Sequence, residues 1–464
     1  MKNSVRRVIT AVALTSLAAT MVACQATPFA SGPRLVNAAG VSRTGAPSSP
    51  QAAALADAVR RGLDHVPGEF LVKLRPGATA QAAMAQAGTR AMGFQSKPVG
   101  SLQSGIVLMK AGGARATAAG SDAQALQALR SNPAVLIAEP NYIVRLTDPA
   151  NEPLPAFRAP DSAAAPNDPM YKDQYAHKVS SSEAGWAIEQ GNADLILSIV
   201  DTGVDYKHPD LAAKLLPGYN TVDDNATVED GNGHGTHCAG IAAALTNNGV
   251  GVAGFAPNVK ILPVQVLSKE GYGSYASVAG GIIWAADHGA KVISMSLGGP
   301  SPSSIVDDAV KHALEKDVIL IAAAGNSGHA GNKPIKSYPA AIPGVMAVGA
   351  TDNKDQLARF SQIGDWISIS APGVNILSTF PTYASQMPSL NYGSISGTSM
   401  ATPAVAGVAA LVRSKFPQLN AAQTKAQIEA NADDMGDKGY DIFFGHGRIN
   451  VFKALSNAPA GFRR

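Results

Sequence analysis

Apolar positions along the chain change their spacing several times, and each change marks a boundary. Residues 8–22 are apolar apart from a few Thr and Ser, and residues 25–60 are rich in Ala, Ser, Pro and Gly with no apolar period. Between 66 and 146 the pattern becomes that of short elements. Residues 69–75 alternate like a strand and stop at Pro76-Gly77, 79–87 suit a helix, and 105–110 form a second strand. Residues 122–130 put Ala125, Leu126 and Leu129 on one helical face, and 134–138 and 142–144 complete the strands. The order β-α-β-α-β predicts a small ferredoxin-like α+β domain. Residues 147–166 are again rich in Pro and Ala, a second linker. From 167 onward, apolar runs (195–200, 259–267, 291–295, 318–324, 345–350, 366–369) alternate with helical stretches (277–288, 305–316, 402–415). Continuous apolar strands suit a parallel sheet covered on both faces, so this part is expected to be a doubly wound α/β fold. The expected division is 1–23, 24–62, 63–147, 148–166 and 167–457.

Hydrophobic residues make up 46% of the 464 and charged residues 15%, enough for a large core and too apolar for overall disorder. The net charge of +3 is uneven: residues 1–165 hold 16 Lys and Arg against 8 Asp and Glu, residues 166–464 hold 21 against 26. A mildly acidic main domain argues against nucleic acid as a partner. Two cysteines cannot make a disulfide scaffold. Lys2, Arg6 and Arg7 before the 8–22 run read as an export signal, too short and polar for a membrane span. Met21-Val-Ala-Cys24 resembles the lipobox of bacterial lipoproteins, which implies acylation of Cys24. The location expected is therefore secreted, or anchored outside the cell membrane by a lipid on Cys24.

Three segments carry candidate chemistry. Val200-Asp201-Thr-Gly203 puts a carboxylate at the end of an apolar run, where open α/β sheets place their sites, although a single such Asp is usually a turn residue. Gly231-Asn-Gly-His234-Gly-Thr-His237-Cys238 leads into an apolar helix. His234 and His237 could serve as zinc ligands, but no second ligand pair accompanies them. Ser394-Ile-Ser-Gly397-Thr-Ser399-Met-Ala-Thr-Pro403 puts a hydroxyl where a glycine turn feeds a helix expected near 402; an N-cap is the plainer use of one such Ser. It is not the Gly-x-Ser-x-Gly elbow of α/β-hydrolases.

Together, in the order Asp, His, Ser, the three segments resemble the signature motifs of the subtilisin-like serine proteases, the subtilases, in their thermitase-like branch. Residues 66–146, with Glu139-Pro-Asn-Tyr-Ile-Val144, resemble the family's inhibitory propeptide. The resemblance implies a catalytic triad of Asp201, His234 and Ser399, with the Asn326 amide of Gly325-Asn-Ser327 at the oxyanion. It implies substrate edges at Gly271 and Gly273 and at Ser296, Leu297, Gly298 and Gly299, with Gly325 in a pocket wall. It implies calcium at Asp168, Asp210 and Asn248 with the carbonyls of Leu245, Val250 and Val252. A second calcium set of Asp223, Asn225, Thr227 and Glu229 is weakened by Asn220, where that branch has Asp. Cys238 is expected to be unpaired and buried beside His234.

The function so implied is a serine endopeptidase acting through an acyl-enzyme, made as a self-processed precursor and working as a monomer. Its partners would be polypeptide substrates and its own propeptide, which serves as chaperone and inhibitor. An inert binding protein on the same fold is the alternative, although no triad or oxyanion residue is missing.

Overall fold

The structure is a computed structural model describing residues 49–101, 104–112, 121–146, 165–329, 331 and 333–459. The export signal, Cys24 and almost all of the 148–166 linker lie outside the described residues. No helix among the described residues is long and apolar enough to cross a membrane.

The small domain is built on β1 (His65–Leu74), β2 (Gln95–Pro98), β3 (Ile106–Lys110) and β4 (Val135–Leu146). They pair antiparallel in the order β4-β1-β3-β2, the ferredoxin-like arrangement, with helices Ala80–Ala85 and Ser121–Arg130 among them. The alternation of β1 explains its unbroken apolar run. Phe70 and Val72 join Met109 and Leu129 in the domain's own core, while Leu71 turns the other way with Val99, Ile106, Leu108 and Val144 into the core of the large domain.

Three features differ from the sequence reading. Residues 134–138 and 142–144 belong to one long strand, β4. The exposed, polar β2 carries no apolar alternation and was not expected. Pro50–Arg60 is a helix within the expected 24–62 linker; the Ser49 hydroxyl accepts from Ala52 N, and Pro50 suits a first helical position. Leu55 and Ala58 dock on Val66 and Ile143, so the stripe is short and largely alanine, which hides it from pattern reading.

The large domain adds β5 (Ile196–Asp201), β6 (Tyr219–Asn220), β7 (Lys260–Gln265), β8 (Tyr272–Ser274), β9 (Val292–Met295), β10 (Leu297–Gly298), β11 (Ile319–Ala323), β12 (Met346–Thr351), β13 (Ile367–Pro372), β14 (Ile376–Thr379) and β15 (Tyr392–Ile395). Seven of them form a parallel sheet in the order β13-β12-β11-β9-β5-β7-β6. Leu197 and Ile199 face helices His234–Ala243 and Thr398–Lys415; Val200, Leu262 and Val264 face helices Tyr275–Asp287 and Ser304–Glu315. Both faces are thus covered, as the apolar runs require. The strand order reverses at β5, and β5 ends on Asp201, so the carboxylate emerges at a topological switch point.

Candidate active site

Asp201 leaves the sheet on a turn that only glycines allow. Gly203 has φ +114°, and a Cβ there would stand 2.5 Å from Val228 O. A Cβ on Gly235, in the first turn of the helix His234–Ala243, would stand 2.1 Å from Gly203 O. This close approach brings the two segments together: His234 Nδ1 lies 2.8 Å from Asp201 Oδ1, and each side chain is 1% exposed. Thr202 N also donates to Asp201 Oδ1, at 2.8 Å. Burial favours neutral His234, but the Asp201 carboxylate outweighs it and raises the imidazole pKa well above 6.5. His234 Nε2 is buried with no hydrogen-bond partner among the described residues, an acceptor held in reserve.

Ser399 lies in the first turn of the helix Thr398–Lys415, which begins one turn before the expected 402. Pro403 explains both the misreading and its use. Proline marks helix starts, and it also lacks the N–H that would bond the carbonyl of residue 399. Ser399 O instead accepts from Ser296 Oγ at 2.8 Å and from Cys238 Sγ at 3.6 Å, which pins the nucleophile to two other segments. Ser399 Oγ donates to Ser296 O at 3.2 Å. Cys238 Sγ is 3.8 Å from His234 Nδ1, so one buried thiol touches both catalytic segments. Burial pushes that thiol's pKa up and keeps it protonated. Asp201, His234 and Cys238 are spaced closely enough to hold a metal, but Asp201 and His234 are already hydrogen-bonded to each other. His237 turns away, with Nε2 3.1 Å from Gly393 O; burial, joined by the charge of His234, lowers its pKa to about 3.

Asn326 follows β11, after a Gly325 with φ +110°. Its Oδ1 accepts from Thr398 N at 2.9 Å and Thr398 Oγ1 at 2.8 Å, and two donors on one oxygen fix the amide's orientation. Nδ2 then faces the turn before Ser399, 3.1 Å from where a Cβ on Gly397 would stand.

The two expected substrate edges are filled by the chain's own β4. Its Arg145 and Leu146 pair antiparallel with Gly298 and Leu297, while Ile143, Val144 and Arg145 pair with Ser274, Gly273 and Tyr272 of β8. Leu146 N donates to Gly271 O at 2.9 Å. Gly299 exchanges two backbone bonds with Tyr338, and Gly325 lies against Gln362 and Ser337.

The first proposed cation set is gathered and the second is not. Asp168 and Asp210 are 4% and 0% exposed. Asp168 accepts from Asn247 N and Asn248 N, and Asp210 accepts from Asn248 Nδ2, Val252 N and Leu245 N, the last through its carbonyl. Burial, joined by the charge of Asp210, raises the Asp168 pKa. In the second set, Asn220 Nδ2 donates to Asp223 Oδ2, Asn225 Oδ1 is taken by Thr227 N, and Asn225, Thr227 and Glu229 are solvent-exposed. The difference between the two sets is burial: Asp168 and Asp210 are buried, whereas Asn225, Thr227 and Glu229 face solvent.

Sequence reading missed Asp230. Its buried carboxylate accepts from Thr202 Oγ1, Gly233 N, and Thr236 N and Oγ1, tying the Asp201 turn to the His234 helix. A lone Asp two residues before an Asn-Gly turn gives no signal of this.

Comparisons with known proteins bear on the same residues. The subtilase family model matches residues 192–447, and the model of the fervidolysin N-terminal prodomain matches 51–141. The chain is 45% identical to thermitase of Thermoactinomyces vulgaris over 62% of its length and 99% of that protein. It is 40% identical to a thermophilic serine proteinase of Bacillus sp. strain AK1, over 71% and 75%. The crystal structure of fervidolysin from Fervidobacterium pennivorans, a keratinolytic enzyme related to subtilisin, superposes with a TM-score of 0.73 at 29% identity. That match covers 86% of this chain and 62% of fervidolysin.

Proposed function

The chain belongs to the subtilase family, and on the geometry of its site we propose that it is a serine endopeptidase made as a self-inhibited precursor. The observation that carries this reading is the buried Asp201–His234 pair beside Ser399, with the cleft between β8 and β10 occupied by an extended peptide. Antiparallel addition of a strand to two edges is how an extended substrate is held, with main-chain bonds for affinity.

In the reaction, His234 Nε2 takes the Ser399 proton as Oγ attacks the scissile carbonyl carbon. Asp201 holds the proton on Nδ1 and stabilises the imidazolium. Asn326 Nδ2 and Ser399 N donate to the carbonyl oxygen as it gains charge. The tetrahedral intermediate collapses, the C–N bond breaks, and the proton on Nε2 passes to the leaving amine. Water, deprotonated by His234, then attacks the acyl-enzyme and regenerates Ser399. The Ser399–His234 bond is made when a scissile bond is seated at Ser399, beyond the part of the cleft that β4 fills, since catalytic bonds often tighten only in the reacting complex.

Calcium fits the Asp168–Asp210 loop as a structural ion. Its charge would offset two buried carboxylates, with Asn248 and the carbonyls of Leu245, Val250 and Val252 completing an oxygen shell. The export-signal reading of the N-terminus supports a chain that is either secreted or held outside the cell membrane by a lipid on Cys24; incorporation of radiolabelled fatty acid, lost in Cys24→Ser, tests the anchor. The test of the central reading is casein hydrolysis with labelling by a serine-directed phosphonate. Wild type hydrolyses and is labelled, Ser399→Ala does neither, and a folded Ser399→Ala protein with wild-type activity would refute the assignment.

A further inference from the structure

Residues 271–273 of the cleft edge carry a single side chain, that of Tyr272. Close approach obliges both of its neighbours to be glycine. A Cβ on Gly271 would stand 2.9 Å from Leu146 Cδ1, and one on Gly273 would stand 2.3 Å from Val266 O. Tyr272 is held in place by its own domain. Ser268 N accepts no side chain's help and donates to Tyr272 O at 2.7 Å, Gly271 N donates to Ser268 O at 2.9 Å, and Leu267 bridges to Gly273. These bonds lie wholly within the large domain, so they remain once the prosegment has left.

The chain's own β4 shows what the ring receives. Arg145 is the register partner of Tyr272 on β8 and of Gly298 on β10. Residues directly opposite in an antiparallel pair place their side chains on one face of the sheet. The Arg145 guanidinium accordingly lies over the Tyr272 ring, 5.3 Å from its centroid, inside the roughly 6 Å reach of a cation–π contact. Val144 and Leu146 turn the other way, against the apolar cluster of the large domain, while Arg145 is exposed. With glycine at 298 on the facing edge, Tyr272 is the one cross-strand side chain that can read this position.

The register also identifies the matching substrate residue. β10 pairs Gly298 with Arg145 and Leu297 with Leu146, so a longer peptide in the same register sets its next residue opposite Ser296. The Ser296 carbonyl accepts from Ser399 Oγ at 3.2 Å, so the residue opposite Ser296 is the one whose carbonyl faces the nucleophile. Arg145 therefore marks the third residue before the scissile bond.

We propose that Tyr272 selects a cationic residue, Arg above Lys, at the third position before the scissile bond. This rests on the protease reading above, with β4 lying in the cleft as a substrate does. The face of an aromatic ring carries negative charge density, and a guanidinium is planar and more weakly hydrated than an ammonium, so it stacks on a ring at less cost.

The test uses the processed enzyme and internally quenched peptides of one sequence that carry Arg, Lys or citrulline at the third position, with the cut confirmed by mass spectrometry. Citrulline keeps the shape of Arg and lacks its charge. Wild type should favour Arg over citrulline by about two- to fivefold in kcat/KM, with Lys between, the scale of an exposed cation–π contact. Tyr272→Phe keeps the ring and should keep the ratio, whereas Tyr272→Leu should remove it. Should Tyr272→Leu fail to mature, Tyr272→Met reads the same contact. Equal cleavage of the Arg and citrulline peptides by wild type, or an Arg preference that survives in the Leu or Met variant, would overturn the proposal. Failure of the wild type to cleave any of the peptides would instead sink the protease reading.

Discussion

His234 sits between two opposed pulls. Burial favours the neutral ring, while the Asp201 carboxylate 2.8 Å away favours the charged one and prevails. Only neutral His234 can accept the Ser399 proton, so activity is lost as pH falls through a pKa that lies above 6.5. The acid limb of kcat/KM against pH should therefore have its midpoint above 6.5, and a midpoint below that value would contradict the geometry. Asp201→Asn should move the limb downward and cut kcat by about 10⁴, because the ring then also loses its tautomer. Asn326 acts only as charge develops on the substrate oxygen. Asn326→Ala should lower kcat by about 10²–10³ with KM little changed, in steady-state kinetics on one peptide. Thr398, which fixes that amide through its N–H and hydroxyl, should give a smaller loss of the same kind when changed to Val.

Among the elements, the 245–252 loop links stability to the site. Asp210 accepts from Asn248, from Val252 N and from the Tyr392 hydroxyl, and Tyr392 opens β15, the strand that leads to Ser399. Removing calcium with EGTA should lower Tm by several degrees in scanning calorimetry, at about 2–4 °C per kcal/mol for a domain of this size. Asp210→Asn should abolish the difference between the two conditions. Which elements could be read in advance follows from how each is stabilised. The parallel strands were legible because burial on both faces forces them to be apolar throughout, and β5 and β9 match their expected runs to within a residue or two at each end. The three signature segments were legible because close approach demands glycine at 203 and 235 and the chemistry demands Asp, His and Ser. The helix Pro50–Arg60 was not, since its contact stripe is mostly alanine, nor was β2, an exposed edge. Asp230 escaped because its role lies in contacts with segments distant in sequence, and nothing in its local pattern differs from an ordinary loop residue.

At the scale of the whole molecule, the prosegment is held by apolar burial and backbone pairing more than by charge. Leu71, Val99, Ile106 and Leu108 share a cluster with Ile282, Ile283, Ile305 and Val306 of the large domain. Glu139 caps the helix Ser304–Glu315 through Ser304 N at 3.1 Å, and Asn141 Oδ1 caps Tyr275–Asp287 through Ala276 N at 3.0 Å. The ion pairs Lys73–Asp308 and Lys97–Asp224 are partly or largely solvated. Exposed pairs contribute about 0–1 kcal/mol, so Lys97→Ala should change release of the cleaved prosegment little. Gly100 is the sharper test. Its φ is +69°, and a Cβ there would stand 2.7 Å from Ile283 Cγ2. Gly100→Ala therefore adds both backbone strain and overpacking at the seam, at a cost of about 1–3 kcal/mol. If self-cleavage falls in the 148–166 linker, as the sequence reading expects, activity should appear only as the prosegment leaves. The lag before full hydrolysis of a peptide substrate should shorten by about tenfold in Gly100→Ala and by far less in Lys97→Ala. An unchanged lag in Gly100→Ala would mean that the seam along the helix Tyr275–Asp287 does not hold the prosegment, and that the β4 strand in the cleft does so alone.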